Sequence, residues 1–161
     1  MYYIGIDIAK KAHEVCFLDN SGSVLDGNSF KIPNTAAGLD KLQTKLTKYE
    51  LTPENSCIGM EATGHYWLVL YSWLAEQDYE IKVINPLVTD AYRNMLIRKT
   101  KNDRIDAEVV ARVLKMGEYQ ETSIAKDGTL ALRQLCRYRF WQTQTTGDLK
   151  RKVIALLDQV F

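Results

Sequence analysis

The stretch YYIGIDI, residues 2–8, decides the fold that the sequence predicts. It is a nearly continuous apolar and β-branched run, which is typical of a strand buried on both faces of a sheet. An acidic residue, Asp7, lies inside this run. Because a lone carboxylate is costly to remove from water, Asp7 needs a partner in the folded protein.

Two further strand patterns follow closely. HEVCFLD (13–19) and SVLDGNSFKI (23–32) are separated by the turn signal Asn-Ser-Gly at 20–22. Strands joined this closely form an antiparallel meander, because parallel neighbours need a long crossover. After them, Asn34 and Thr35 can cap a helix whose leucines Leu39, Leu42 and Leu46 recur at helical spacing.

The chain then alternates between strand and helix before it becomes helical throughout. SCIGME (56–61) and EIKVINP (80–86) predict two strands around a helix at 64–76, which is a right-handed β-α-β unit. Helical periodicity continues through 87–96, 103–115 and 130–161. We therefore predict an α/β fold with a mixed five-stranded sheet, three antiparallel strands followed by β-α-β, flanked by helices.

The last predicted helix approaches thirty residues, which is long enough to project as a coiled-coil arm. It reaches Phe161 without a cap or stop signal. We expect a fragment of a longer protein, with one domain at 1–127 and the start of a linking helix at 128–161.

Composition indicates a globular protein. The 161 residues are 46% hydrophobic and 25% charged, which argues against disorder. The sequence has neither an apolar run long enough for a bilayer nor the pattern of a signal peptide, so we expect a cytoplasmic protein without a membrane partner. Three scattered cysteines without a C-x-x-C pair argue against a zinc site or a disulfide framework.

The charge is unevenly distributed along the chain. Residues 1–90 hold 7 basic and 12 acidic side chains, whereas residues 91–161 hold 14 basic and 8 acidic ones, including every arginine. Since the arginine fork binds phosphate in pairs of hydrogen bonds, this asymmetry indicates a polyanionic partner, although a solvated basic helix gives the same count.

Four acidic residues fall where a sheet and a helix can bring them together: Asp7, Glu61, Asp103 and Asp106. The last two are three residues apart, so they share one face of a helix. Hard oxygen donors suit Mg²⁺ or Mn²⁺, and two such ions about 4 Å apart are a known device for attacking a phosphodiester. Separately, each acid has an ordinary explanation, since D-x-x-D at 103–106 is also the pattern of a helix cap.

Candidate nucleic-acid contacts surround these acids and extend into the last helix. Each has an ordinary alternative as a solvated or capping side chain. They are Lys10, Lys11, Thr63, His65, Arg98, Lys99, Lys101, Arg104, Arg137 and Arg139.

Four segments together resemble a known family: YIGIDIAKKAHEVCFLD, GMEATGHYW, VINP and RKTKNDRIDAEVVARVL. They are similar to the N-terminal domain of the DEDD-type insertion-sequence transposases related to the Piv and MooV invertases, which include bridge-RNA-guided recombinases. The resemblance implies a RuvC-like fold of the RNase H type, with Asp7, Glu61, Asp103 and Asp106 as the metal-binding catalytic tetrad.

The resemblance also implies partners and a reaction. Members of this family cleave and exchange DNA strands with divalent metal, act as homo-oligomers such as dimers or tetramers on donor and target DNA, and use a structured guide RNA. They also have a C-terminal transposase domain with a reactive serine, which we expect to lie outside this chain.

The sequence is also compatible with three other functions. A junction-resolving nuclease of the RuvC type would need no serine domain. A nucleic-acid-binding module would keep the fold without catalysis. An actin-like ATP-binding domain would share the first hairpin, but such hairpins require Gly and Ser or Thr where this chain has Ala9, Lys10 and Lys11.

Overall fold

The computed structural model of the protein describes residues 1–61, 64–95, 103–119 and 129–160, without the side chains of Asp26, Asp103, Arg104 and Leu130. The strands are β1 (Tyr2–Asp7), β2 (Ala12–Leu18), β3 (Phe30–Pro33), β4 (Ser56–Glu61) and β5 (Glu80–Ile84). The helices are α1 (Ala36–Lys48), α2 (Trp67–Ala75), α3 (Pro86–Met95), α4 (Asp103–Met116) and α5 (Thr129–Leu157).

The five strands form one mixed sheet in the order β3-β2-β1-β4-β5. The pairs β1–β2 and β2–β3 are antiparallel, whereas β1–β4 and β4–β5 are parallel. The predicted meander followed by β-α-β is therefore confirmed. Its physical basis is chain length, since the short connections permit only antiparallel pairing and the helical crossovers permit parallel pairing.

Helix α4 packs on one face of the sheet through small residues. A Cβ added at Gly5 would lie 2.1 Å from the carbonyl oxygen of Ala107 and 2.4 Å from the amide nitrogen of Ala111. The helix backbone therefore rests directly on β1, and no side chain fits between them. Because residues alternate along a strand, Asp7 lies on the same face of β1 as Gly5, toward α4.

Helix α1 lies on the opposite face. Cys16 and Leu18 pack with Ala107 and Ala111 of α4, so Phe17 between them points away from α4. The ring of Phe17 contacts that of Tyr49, the residue after α1, at a centroid distance of 6.0 Å. The lysines of α1 are thus separated from α4 by the sheet.

Two predicted elements are shorter than the sequence pattern indicated. The predicted strand at 23–32 is interrupted by a 3₁₀ turn at Leu25–Gly27, where Gly27 adopts a φ of +71°. Val24 before the turn makes only an isolated bridge to Leu18, and the third strand begins at Phe30. The helix predicted from residue 64 begins at Trp67, since Gly64 has a φ of +63°, outside the helical region.

The chain divides into two compact units, Met1–Ser123 and Ile124–Phe161. The second contains α5, whose apolar side chains are largely exposed, among them Leu135, Trp141, Leu149 and Val153. Among the described helices, α5 included, not one combines the length and the apolar character that crossing a membrane requires. The predicted role of residues 128–161 as a link to a further domain stays a prediction.

Candidate functional site

Two predicted site residues end neighbouring parallel strands. Asp7 is the last residue of β1 and Glu61 the last residue of β4. Ile6 is paired with Met60, so Asp7 and Glu61 are the next residues along the two strands and lie on the same face of the sheet. The carboxyl ends of parallel strands therefore bring these two acids together.

The third described acid enters from α4. Asp106 lies in the first turn of α4 and is 6% exposed. Its neighbour Ala107 contacts Gly5, two residues before Asp7, which places Asp106 over the same end of β1. Asp103 begins the same helix, but its side chain lies outside the described part of the structure.

Helix α3 binds two of these acids from one side. The hydroxyl of Thr89 donates a hydrogen bond to Glu61 Oε1, and Nε of Arg93 donates to Asp106 Oδ1 at 2.8 Å. Thr89 and Arg93 are four residues apart, so they share one face of α3. Sequence reasoning did not identify either residue as a candidate. The available signal was a threonine followed one helical turn later by an arginine, in the segment before D-x-x-D.

The charge of Arg93 is fixed by its neighbours. Burial by itself would lower the pKa of Arg93, but the adjacent carboxylates of Asp106 and Asp90 raise it above the ordinary value. The guanidinium is therefore permanently charged beside Asp106. Its Nη1 also binds Asp90 of its own helix.

A further acid, Glu14, was also missed by sequence reasoning. Glu14 is paired directly with Asp7 across β1 and β2 and is 3% exposed. The hydroxyl of Ser29 donates to Glu14 Oε1 at 2.5 Å, whereas Oε2 is buried with no hydrogen-bond partner within the described part of the chain. The signal was an acid inside the apolar strand HEVCFLD.

Burial also affects two groups near the first hairpin. It raises the pKa of the Cys16 thiol to about 12, with the charges of Glu108 and Glu14 adding to the effect. It lowers the pKa of His13, and the nearby side chain of Asn34, which favours the protonated imidazole, offsets this only in part. Cys16 is therefore an unreactive thiol, and His13 is neutral at pH 7 and accepts a hydrogen bond from the Ala9 amide at 3.3 Å.

The predicted nucleic-acid contacts are only partly described. Lys10 and Lys11 are exposed in the turn that follows Asp7, at the same end of the sheet as the acids. His65 is exposed, and its ring lies 4.4 Å from that of Tyr66. Arg137 and Arg139 are exposed on α5 in the second unit. Thr63, Arg98, Lys99, Lys101 and the side chain of Arg104 lie outside what the structure describes.

The donor set at this site suits a hard divalent cation. Asp7, Glu61 and Asp106 supply only carboxylate oxygens, which Mg²⁺ and Mn²⁺ prefer. Within the described residues, however, no three acidic, histidine or cysteine side chains are arranged closely enough to hold a metal ion. Two of the three acids are instead engaged by Thr89 and Arg93.

Comparison with known families decides the relationship of this chain. The sequence profile of the DEDD_Tnp_IS110 family, described as a transposase, matches residues 4–161. The chain belongs to this IS110-type transposase family. The resemblance that the sequence motifs indicated is thereby confirmed.

Individual relatives of this transposase family agree with the assignment. A pilin gene-inverting protein from Moraxella lacunata is 31% identical over 110 residues, which is 68% of this chain and 33% of the relative. A mini-circle putative transposase for IS117 from Streptomyces coelicolor is 28% identical over 158 residues, 94% of this chain and 37% of the relative. The chain thus spans about a third of the length of these relatives.

Solved structures show the same fold. The RuvC structure from Thermus thermophilus has a TM-score of 0.50 with 10% identity, covering 76% of this transposase-family chain and 100% of RuvC. A second RuvC structure, in complex with a Holliday junction substrate, gives the same TM-score over 99% of its length. The predicted RuvC-like, RNase H-type fold is therefore confirmed.

Proposed function

We propose that this chain is the metal-dependent catalytic domain of a DNA transposase. The observation that carries the proposal is the position of Asp7 and Glu61 at adjacent strand ends beneath the first turn of α4, which contributes Asp106. The names of the relatives, a gene-inverting protein and a putative transposase, both denote DNA rearrangement.

Asp7, Glu61, Asp103 and Asp106 would hold two Mg²⁺ or Mn²⁺ ions. Such ions, when bound, would polarise the phosphodiester and activate the nucleophile that attacks it. The hydroxyl of Thr89 orients the Glu61 carboxylate, and the charged acceptor takes its hydrogen in preference to the Pro86 carbonyl, which lies 2.9 Å away. Lys10 and Lys11 bind phosphate beside the site, which gives affinity rather than sequence choice.

The proposed partners are donor and target DNA, a structured guide RNA and further copies of the same chain. The basic second half of the sequence supports a polyanionic partner. We expect strand exchange to require, besides this chain, the C-terminal transposase domain with a reactive serine that the family resemblance implies.

The test is DNA cleavage and strand exchange with Mg²⁺, together with DNA binding, for Asp7→Asn and Glu61→Gln in a protein that joins this chain to the family's C-terminal domain. We expect both variants to lose cleavage and keep binding, because each substitution removes a metal ligand and preserves the shape of the side chain. Glu108→Gln is the matched control, since Glu108 is an acid of α4 that pairs with Arg112 at 2.6 Å.

Two outcomes would overturn the proposal. Strand exchange that persists in Asp7→Asn and Glu61→Gln would indicate a nucleic-acid-binding module. Cleavage of branched DNA by this chain, independent of the rest of the protein and without strand exchange, would indicate a junction-resolving nuclease.

A further inference from the structure

One helix, α3, holds two of the four proposed metal ligands. Thr89 reaches Glu61 on β4, and Arg93 reaches Asp106 on α4. The two acids belong to different elements, but their partners are one helical turn apart. The state of α3 and the state of the proposed metal site are therefore physically coupled.

The contact between Arg93 and Asp106 is shielded from water. Their side chains are 17% and 8% exposed, so the two charges attract each other with little screening. An ionised carboxylate in such a place requires a positive partner. In the protein without metal, the guanidinium of Arg93 provides that charge.

A divalent cation requires the same carboxylate. The guanidinium occupies Asp106 Oδ1, and its positive charge at hydrogen-bonding distance opposes the approach of a second cation. After release from Asp106, the guanidinium of Arg93 would still be paired with Asp90 through Nη1.

We propose that Arg93 is an internal competitor for the divalent metal at Asp106, so that metal binding displaces its guanidinium from the carboxylate. This inference rests on the proposed function. The opposite role is a supporting one, in which Arg93 fixes Asp106 for the metal. The two roles predict opposite effects of removing the arginine.

The test is a calorimetric titration of the protein with Mn²⁺. We expect Arg93→Gln to bind Mn²⁺ on the order of tenfold more tightly than the parent protein, because the competing charge is gone. Arg112→Gln is the control, since it removes the same charge from an arginine that pairs with another acid of α4, Glu108. Its affinity should stay within about twofold of the parent.

Thermal unfolding provides a second measurement, which distinguishes competition for metal from a purely structural role of Arg93. In EDTA we expect Arg93→Gln to unfold at a lower temperature, because Asp106 loses its counter-charge. Saturating Mn²⁺ should then raise the melting temperature of Arg93→Gln more than that of the parent protein. A structural role would give the same deficit with and without metal.

The outcomes separate the inference from the proposed function. Mn²⁺ affinity that is unchanged in Arg93→Gln, or weakened by the 10- to 100-fold typical of a lost supporting contact, would overturn competition by Arg93. If the parent protein shows no Mn²⁺ binding that Asp106→Asn removes, the metal site itself is wrong. Arg93→Lys, which keeps the charge, should bind Mn²⁺ more weakly than Arg93→Gln. If the glutamine variant does not fold, Arg93→Met, which also removes the charge and keeps an apolar stem, takes its place with the same expected gain in affinity.

Discussion

At the scale of single residues, Asp106 combines two roles that respond differently to substitution. Its carboxylate forms an ion pair with Arg93, and the proposed function also requires it as a metal ligand. An asparagine keeps an oxygen that accepts the hydrogen bond from Arg93, whereas an alanine leaves the guanidinium attached only to Asp90. The two substitutions therefore separate folding from chemistry.

We expect Asp106→Asn to lower the free energy of unfolding by about 1 kcal/mol and DNA cleavage by about a thousandfold or more, since a catalytic metal supplies several kcal/mol. Asp106→Ala should cost about 3 kcal/mol of stability, the low end for a broken buried pair. Urea unfolding and cleavage rates measure both effects. Cleavage by Asp106→Asn at the parent rate would exclude Asp106 from catalysis.

Protonation of His13 should make the free energy of unfolding depend on pH. Because burial lowers its pKa from the ordinary value of 6.5, the unfolded chain takes up a proton before the folded chain does. Stability should therefore fall as the pH drops below about 6.5, by at most about 1.4 kcal/mol per pH unit.

In His13→Asn, the side-chain oxygen can still accept the hydrogen bond from the Ala9 amide, but it does not titrate. Urea unfolding at pH 7 and pH 5.5 should therefore show a weaker pH dependence in this variant. An equal loss of stability in both proteins would contradict the assignment to His13.

At the scale of elements, the position of α4 on β1 depends on Gly5. Its close approach to Ala107 and Ala111 leaves no room for a methyl group. The register of α4 on β1 in turn places Asp106 over the end of the strand. The stability of the fold and the geometry of the site therefore depend on the same glycine.

Gly5→Ala should lower the free energy of unfolding by about 3 kcal/mol or more, the upper end for overpacking, because the methyl group meets backbone rather than a flexible side chain. Gly147→Ala is the control, since the added methyl group has only ordinary contacts with Arg151 on α5. It should raise helix stability by up to about 1 kcal/mol. Equal stability of Gly5→Ala and the parent protein in urea would mean that α4 does not rest on β1 as described.

The sequence predicted the types of the elements and the pairing of the strands wherever these depend on residues that are close together in the chain. Short connections predicted the meander around YYIGIDI, and helical periodicity predicted α4. The shorter third strand was not predictable, because apolar residues on both sides of Gly27 conceal a turn set by backbone conformation. Asp7, Glu61 and Asp106 were recognised as acids in unusual places, whereas Thr89 and Arg93 act only through contacts between distant segments, which periodicity does not show.

At the scale of the whole molecule, two pairs of exposed lysines lie at different distances along the chain from the acids of the proposed site. Lys10 and Lys11 extend from the end of the sheet that contains Asp7. Lys41 and Lys48 are exposed on α1, on the face opposite α4. A nucleic acid bound for cleavage at the acids should therefore contact the first pair and not the second.

We expect Lys10→Glu with Lys11→Glu to weaken DNA binding and to reduce the slope of log affinity against log salt by about one for each lost phosphate contact. Lys41→Glu with Lys48→Glu carries the same change in charge and should have a smaller effect. Fluorescence anisotropy over a salt series measures both. Equal losses from the two double variants would show that long-range charge, rather than contact near Asp7, determines binding.

We propose that acids from β1, β4 and α4 form one divalent metal site, and a crystal soaked in Mn²⁺ tests this site most directly. We predict an anomalous density peak within coordination distance, about 2.2 Å, of carboxylate oxygens of Asp7, Glu61 and Asp106, with Arg93 displaced from Asp106 Oδ1. Peaks confined to other carboxylates, with the Arg93–Asp106 hydrogen bond intact beside Asp7, would contradict it.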